Sequence, residues 1–233
     1  MRRPVLSLAV VFFVSGLVAP ATGYAQQAVN FYVGGFVPKG EDSRTGNDVL
    51  VANLEQGGLA FKIDDFHGVT FGGEFLFGLG KRFDAGGGLG FYSKSVPSIY
   101  RSLTHSNGAE IEQDLKLRVV PFTATVRFLP LGRGAAVEPY LGAGVGVFAW
   151  RYSETGEFVD VDGIIFRDTF SGSGAAAGPV VLGGVGVPLG SWSIGFEGRY
   201  QWAEGDLPAD QDFWGNKIDL GGFTYLATFK VRF

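Results

Sequence analysis

The chain has 233 residues, of which 38 are glycine, none is cysteine, and 15% are aromatic. This length fits a single domain, and the lack of cysteine excludes disulfides, thiol redox chemistry and cysteine-ligated metal sites. The formal net charge of −4 argues against a nucleic-acid partner, because phosphate backbones are bound by basic surfaces. Abundant glycine and aromatic residues indicate short strands joined by turns rather than helices.

The beginning of the chain has the organisation of a secretory signal peptide. Two arginines precede an apolar run over residues 5–18, and small residues at 23 and 25 form a cleavage site before Gln26. As a membrane anchor this run is short, because a spanning helix needs about 20 apolar residues. We therefore divide the chain into a signal peptide, residues 1–25, and a mature domain, residues 26–233.

Several segments of the mature domain alternate between large apolar and small or polar residues, a pattern typical of strands with two different faces. The first predicted strand is apolar and glycine-rich on both faces, so its orientation stays open. In the fourth, the apolar residues change parity near Pro121, which predicts a bulge or kink. The eight predicted strands cover residues 28–38, 69–79, 84–92, 114–128, 140–150, 176–187, 192–202 and 223–233.

The connections between these strands alternate in length without exception. Short connections lie near 80–83, 129–138 and 188–191, and long ones cover roughly 39–68, 93–113, 153–175 and 203–217. Outer-membrane barrels have short periplasmic turns and long external loops, so this order favours that architecture. Within the first long loop, residues 48–56 are expected to form a helical turn, and residues 163–167 of the third could extend its flanking strands as a hairpin.

The two faces of the predicted strands differ in size as well as polarity. In the seventh strand Trp192, Ile194 and Phe196 share one face, and the opposite face carries small residues and charges. A soluble, lipocalin-like barrel also alternates, but its polar face meets water and is rich in Lys, Glu, Thr and Ser. Glycine and charges of both signs fit instead the crowded interior of a small barrel whose large side chains face lipid.

Charged residues on the small-residue face are expected inside the barrel. They are Glu74, Arg127, Glu197, Arg199, Lys230 and Arg232. Antiparallel pairing of the last two strands would place Glu197 opposite or diagonal to Lys230. Because an unpaired buried charge is costly, we expect a structural ion-pair core, with a proton or solute path as the alternative.

The chain combines this layout with the segment Glu138-Pro-Tyr-Leu-Gly-Ala-Gly-Val-Gly146, the segment Phe196-Glu-Gly-Arg-Tyr200 and a terminal Phe233. Together these features resemble the small outer-membrane β-barrel proteins of the OmpA/OmpX/OmpW type. The resemblance implies an all-β, eight-stranded antiparallel up-and-down transmembrane β-barrel in the cell outer membrane. It also implies a C-terminal signal read by the barrel-insertion machinery, carried here by Tyr225, Phe229, Val231 and Phe233. The peptidoglycan-binding domain of full OmpA proteins is not expected, because the sequence stops at the last strand.

Three other motifs resemble catalytic, phosphate-binding or calcium-binding sites only in part. His105 and Ser106 suggest an esterase with Glu110 as the orienting acid, but adjacent residues of an extended segment point in opposite directions. The glycines of 142–146 lack the helix that follows a phosphate-binding loop. Asp160-Val-Asp-Gly163 is only a fragment of a calcium loop. We therefore predict no catalytic residue, no metal site and no cofactor.

The sequence leaves three functions open. The first is a non-enzymatic barrel with a structural or surface-interaction role through four external loops. The alternative is a narrow conduit for a small solute, for which the resemblance to OmpW suggests a hydrophobic one, and the third is a lipid-modifying enzyme. Expected partners are outer-membrane lipid and lipopolysaccharide, and no nucleic acid. An acidic cluster in the fourth loop could share divalent cations with that leaflet; it comprises Glu204, Asp206, Asp210 and Asp212.

Overall fold

The computed structural model describes residues 26–233, so the predicted signal peptide lies outside the described residues. The described chain is an antiparallel sheet of eight long strands, in agreement with the predicted number. The strands are β1 Gln27–Pro38, β2 Gly68–Leu79, β3 Phe83–Thr104, β4 Glu110–Phe128, β5 Glu138–Val159, β6 Ile165–Leu189, β7 Trp192–Gln201 and β8 Gly222–Arg232.

The sheet closes on itself. Each strand pairs with the next along the chain, and β1 pairs with β8 from Ala28 opposite Arg232 to Pro38 opposite Gly222. The ring has no unpaired edge at the height that all eight strands share, and the expected up-and-down barrel is confirmed. Beyond that height, most of β3 past Tyr92 and the part of β6 before Val180 have a partner strand on one side only. Gln26 and Phe233 lie at the end that carries the short turns, which we call the turn end; the opposite end is the loop end.

The strands have very unequal lengths. β1, β2, β7 and β8 have 10–12 residues, whereas β3 to β6 have 19–25. The second and third long loops were therefore predicted wrongly, because most of 93–113 and of 153–175 is strand. Twelve residues of β3 lie beyond Tyr92, a projection of about 40 Å at about 3.3 Å per residue. Only residues 105–109 (loop 2) and 160–164 (loop 3) remain outside the strands.

The apolar face of β4 reverses along the strand. Near the turn end Phe122 and Val126 point outward, each 50% exposed, whereas toward the loop end Leu115 and Leu117 point inward and are buried. The predicted bulge at Pro121 is wrong, because β4 pairs with β5 in unbroken register from Gln113 to Phe128. The parity of the backbone is constant, and what changes is which face of the strand carries the apolar side chains.

The same reversal occurs on β5. Val145 and Val147 face outward, whereas Phe148, Trp150 and Tyr152 point inward and are buried. Reversal at one height on neighbouring strands divides the barrel into two halves. The turn half has an apolar exterior and a polar interior, and the loop half has a polar exterior and an apolar interior.

Loop 1 (residues 39–67) and loop 4 (residues 202–221) fold over the loop end. Loop 1 contains the α-helix α1, Val49–Glu55, where a helical turn was predicted, between two 3₁₀ turns, Glu41–Ser43 and Ile63–Phe66. Its short strand Leu59–Ala60 pairs with β3, and loop 4 forms a small hairpin of Glu204–Asp206 with Lys217–Asp219. Within the described chain, no helix is long and apolar enough to cross a membrane.

The structure also orients β1, which the sequence left open. Phe31 and Val33 face outward, while Ala28, Asn30 and Tyr32 are buried inside the barrel. The interior of this strand therefore mixes a small, an amide and a phenol side chain, which explains why its two faces look alike in the sequence.

Candidate functional site

Four charged side chains meet inside the turn half and form a closed ring of alternating sign, which we call the ion ring: Glu74, Arg127, Glu197 and Arg199. Nη2 of Arg127 lies 2.6 Å from Oε2 of Glu74 and 2.9 Å from Oε2 of Glu197. Nη2 of Arg199 lies 2.9 Å from Oε1 of Glu74 and 2.5 Å from Oε1 of Glu197. These residues come from β2, β4 and β7, which are not neighbours in the sheet, so the ring crosses the lumen.

The ion ring is almost fully desolvated. Its side chains are at most 6% exposed, and its formal charges cancel. Asn30 donates a hydrogen bond of 3.1 Å to Glu74, and the Tyr140 hydroxyl donates one of 2.9 Å to Glu197. Charge-assisted hydrogen bonds of this kind offset the cost of removing ions from water only when nearly every partner is present, as here.

Two tyrosines flank the ring, and two glycines make room for them. The guanidinium of Arg127 lies 5.0 Å from the ring centre of Tyr140, and that of Arg199 lies 5.3 Å from the ring centre of Tyr32. A Cβ atom at Gly184 would lie 2.5 Å from the Tyr140 hydroxyl, and one at Gly72 would overlap the Tyr32 hydroxyl. The interior glycines therefore leave the space that the aromatic rings fill.

A second ionic cluster closes the turn end. Glu138, at the start of β5, is buried and accepts a short hydrogen bond from Arg232, with Lys230 Nζ 3.6 Å away. Arg133, from the turn before β5, lies 2.5 Å from the carboxylate of Asp84. The second cluster therefore pairs cations of β8 and of a turn with acids of β3 and β5.

The structure places all six predicted interior charges inside the barrel but in two groups. The predicted contact between Glu197 and Lys230 is wrong, because Glu197 lies opposite Leu226 and Lys230 lies opposite Ser193. Lys230 lies four residues along β8 from Leu226, so it is neither opposite nor diagonal to Glu197. Lys230 consequently contacts Glu138, an acid on the other side of the barrel.

Sequence reasoning missed several members of these clusters. Glu138 and Tyr140 share the interior parity of the glycines at 142 and 144, and Asp84 shares that of the glycines at 86 and 88, so the alternation itself could have found them. Arg133 lies in an irregular turn with no periodicity. Nothing in the local sequence indicates that its side chain folds back into the barrel.

The remaining space along the axis is small. A cavity of about 30 Å³ lies above the ion ring, lined among others by Tyr32, Tyr92 and Pro121, and one of about 10 Å³ lies at the turn end beside Glu138 and Arg232. One water molecule needs about 10–15 Å³ of such volume. These cavities hold at most a few waters and do not form a continuous passage.

An apolar core seals the loop end above that cavity. Leu50 and Leu54 of α1 pack with Phe66 of loop 1 against inward side chains of the projecting strands, among them Leu115 and Trp150. These side chains are buried, and the Tyr92 hydroxyl donates a short hydrogen bond to the Phe66 carbonyl. Burial of apolar surface thus fixes loop 1 inside the mouth of the barrel.

Buried charges join loop 1 to loop 4. Asp48 caps α1 by accepting from the Leu50 amide at 3.1 Å, and it also accepts from the Asp219 amide at 2.6 Å. Arg44 lies 2.7 Å from Asp48, and Lys39 lies 2.9 Å from Asp219. The helix cap and the loop-to-loop contact therefore share one carboxylate, so the two loops form a single cap.

A buried acid faces this cap from β5. Glu154 accepts hydrogen bonds from Asn53 of α1 at 2.6 Å and from the Tyr152 hydroxyl at 2.9 Å. Burial raises the pKa of the Glu154 carboxyl, because neither partner carries a compensating positive charge. Docking of α1 therefore places an amide against a carboxyl that favours its neutral form.

The residues of the considered esterase site do not assemble. His105 Nε2 lies 2.9 Å from Oε2 of Glu157 on β5, rather than against Glu110, and the hydrogen bond from His105 lowers the pKa of the Glu157 carboxyl. Ser106 is exposed at the tip of the hairpin. Asp160 accepts from the amides of Asp162 and Ile164 at 2.9 and 2.8 Å, so it closes the turn of loop 3. Between residues 26 and 233, no three acidic or histidine side chains converge on a metal position.

No family model and no curated protein matches the chain. Among solved structures it is similar to the outer membrane protein OprG from Pseudomonas aeruginosa, with a TM-score of 0.53 and 12% identity over 90% of this chain and 96% of that one. Neisserial surface protein A aligns with a TM-score of 0.47 and 13% identity over 89% of this chain and 97% of that one. The fold is that of the small outer-membrane β-barrel proteins.

Proposed function

We propose that the chain is a non-enzymatic outer-membrane β-barrel that does not conduct solutes and that holds a rigid, sheet-built surface outside the cell. The location is supported by the reversal of the apolar face on β4 and β5. A water-soluble barrel would keep its apolar side chains inside along its whole height. Outward apolar rows are stable where lipid surrounds the barrel, and a closed barrel satisfies its backbone there.

The absence of conduction rests on the ion ring. Four neutralising charges fill the lumen, and the cap formed by loops 1 and 4 lies above them. Barrels with an aqueous channel have more strands, and eight leave space only for their own side chains. This interior disfavours the alternative of a conduit for a small solute.

The surface role rests on the projecting parts of β3 to β6. Their paired backbones continue beyond the reversal, and their inner face packs on the cap. Hydrogen bonding on one side and apolar packing on the other make this part a firm platform rather than a set of mobile loops. Loops 2 and 3 lie at its outer tip.

We also propose that the outward row of β8, with Tyr225, Phe229, Val231 and Phe233, is the segment that the insertion machinery reads. Tyr225, Phe229 and Phe233 are exposed on the outer face of the barrel. This row takes no part in the interior packing of the barrel, which leaves its aromatic side chains free for a recognition role.

Fractionation tests the location. We expect the expressed chain in outer membranes and a different gel migration of unboiled and boiled samples, since folded barrels resist detergent. Recovery only from the soluble periplasmic fraction would contradict the proposal.

Planar-bilayer recording tests the closed interior. Purified chain should give no reproducible unitary steps, and a variant with Glu74→Ala and Arg127→Ala, which removes half of the ion ring, should give more current than the wild type. Regular unitary steps from the wild-type chain would favour the conduit instead. An unchanged acylation pattern of lipid A after expression is expected if the barrel is not a lipid-modifying enzyme.

A further inference from the structure

Three cations lie together on the outer face of β4 and β5, just beyond the reversal of the apolar face. They are Lys116, Arg118 and Arg151, and all three are exposed. Arg118 lies directly opposite Arg151 in the antiparallel pair. Like charges in this position destabilise a sheet, and none of the three forms an ion pair with a carboxylate in the part of the chain that the structure describes.

The neighbours of these cations are hydroxyl side chains. The strand partners of the three cations on either side are Ser93, Ser95, Ser153 and Ser173. A surface hollow of about 180 Å³ is lined by the three cations together with Ser153 and Thr169. Every lining side chain offers a hydrogen-bond donor and none is acidic, which is the chemistry of an anion site.

The height of this hollow is defined by the rows beneath it. Toward the turn end the next outward pair is Val120 opposite Ala149, followed by Phe122 opposite Val147, with Phe122 and Val147 exposed. Two residues along a strand correspond to about 7 Å. Arg118 and Arg151 therefore lie one residue pair, about 7 Å, beyond the apolar outer surface of the barrel. The headgroups of a surrounding lipid would lie at this height.

We propose that Lys116, Arg118 and Arg151 bind the phosphate groups of a phosphorylated glycolipid in the outer leaflet. The proposal rests on the membrane location proposed above. A lipid fits better than a free anion, because the apolar surface of Phe122 and Val147 continues directly below the hollow and contacts acyl chains. The outward residues farther from the belt on β4 are acids, Asp114 and Glu112, which favours an anion held at the membrane side of the platform.

The test compares two double variants that remove the same charge. Arg118→Gln with Arg151→Gln removes the facing arginines, and Arg101→Gln with Arg167→Gln removes two exposed arginines of β3 and β6 nearer the tip. Each full chain, purified in detergent, is titrated with bisphosphorylated lipid A, with its dephosphorylated form and with inorganic pyrophosphate, and adducts are counted by native mass spectrometry. A cation near an anionic membrane surface contributes about fivefold in affinity, so two contribute roughly 30-fold.

We expect the first variant to bind bisphosphorylated lipid A about 30-fold more weakly than the wild type, and the second to bind it within about threefold. Dephosphorylated lipid A should not distinguish the variants, and pyrophosphate should bind far more weakly than the lipid. Equal lipid A affinity in both variants, or pyrophosphate binding as tight as the lipid, would overturn the site. Flotation with phosphatidylcholine vesicles separates the two proposals. If the wild-type chain does not float with the vesicles, the membrane location is refuted. If it floats, but the two double variants bind lipid A with equal affinity, only the phosphate site is refuted.

Discussion

Replacing Glu74 by glutamine tests whether the ion ring holds the barrel together. The substitution keeps the shape of the side chain but removes the carboxylate that lies 2.6 Å from Arg127 and 2.9 Å from Arg199. Both guanidiniums then share the single acid Glu197, and the buried ring carries one uncompensated positive charge. Breaking a buried ion pair in this way costs about 3–5 kcal/mol, so we expect the free energy of unfolding to fall by that amount.

The assay is urea unfolding of the chain folded in phosphatidylcholine vesicles, followed by tryptophan fluorescence and gel migration. A double variant, Glu74→Gln with Arg199→Gln, leaves the neutral pair of Arg127 with Glu197. It should therefore lose less than the sum of the two single losses, by about 0.5–3 kcal/mol. Glu204→Gln is the control, because Glu204 and its partner Lys217 are both substantially exposed and such pairs contribute about 0–1 kcal/mol. Equal losses for Glu74→Gln and Glu204→Gln would refute the structural role of the ring.

Three further predictions concern packing, pH and assembly. Gly184→Ala should destabilise the barrel by about 1–3 kcal/mol, because its Cβ would lie 2.5 Å from the Tyr140 hydroxyl. Gly186→Ala is the control: its Cβ would have no neighbour closer than 3.8 Å, so stability should change by less than about 0.5 kcal/mol in the same urea assay. Equal losses in the two variants would show that the glycine at 184 does not make room for Tyr140. The raised pKa of Glu154 stabilises the docked helix α1 while this acid is neutral, and that contribution is lost as pH rises through the folded pKa, so amide exchange of α1 should quicken with pH beyond its intrinsic trend. Glu154→Gln should abolish this excess, and an unchanged pH dependence would argue against the buried acid as its cause. Deleting Phe233 should reduce the heat-modifiable fraction in cells while leaving total expression unchanged; an unaltered fraction would count against the proposed insertion signal.

Period-two alternation predicted the number of strands and the interior parity of the charged residues, but not the extensions of β3 to β6 into the second and third predicted loops. That information is local, because successive side chains of a strand point to opposite faces whatever the partner strand is. The pairing of Glu197 with Lys230 was not local, since it required the register between β7 and β8. A turn as tight as that between β6 and β7 limits the register of its own hairpin, but loop 4 gives no such limit for β7 and β8.

The misread stretch around Pro121 has a different cause. If apolar residues lie on one face along a whole strand, the change from Leu117 to Phe122 predicts a break in the backbone. β4 keeps one register through Pro121, and the apolar side chains change from the inner face, under the cap, to the outer face, where the proposed membrane would surround them. A reversal of apolar parity within one long strand is thus a sequence signal for the edge of the apolar belt, and on β5 it lies between Val147 and Phe148.

Thiol labelling along β4 tests the position of that edge most directly, because the chain has no cysteine of its own. Single cysteines replace the outward residues Lys116, Phe122 and Val126, and each protein is folded into phosphatidylcholine vesicles. A water-soluble maleimide should label position 116 rapidly and leave positions 122 and 126 unlabelled until detergent is added. Labelling of 122 and 126 at the rate of 116 in intact vesicles would show that the apolar row faces water, and the membrane account would be wrong.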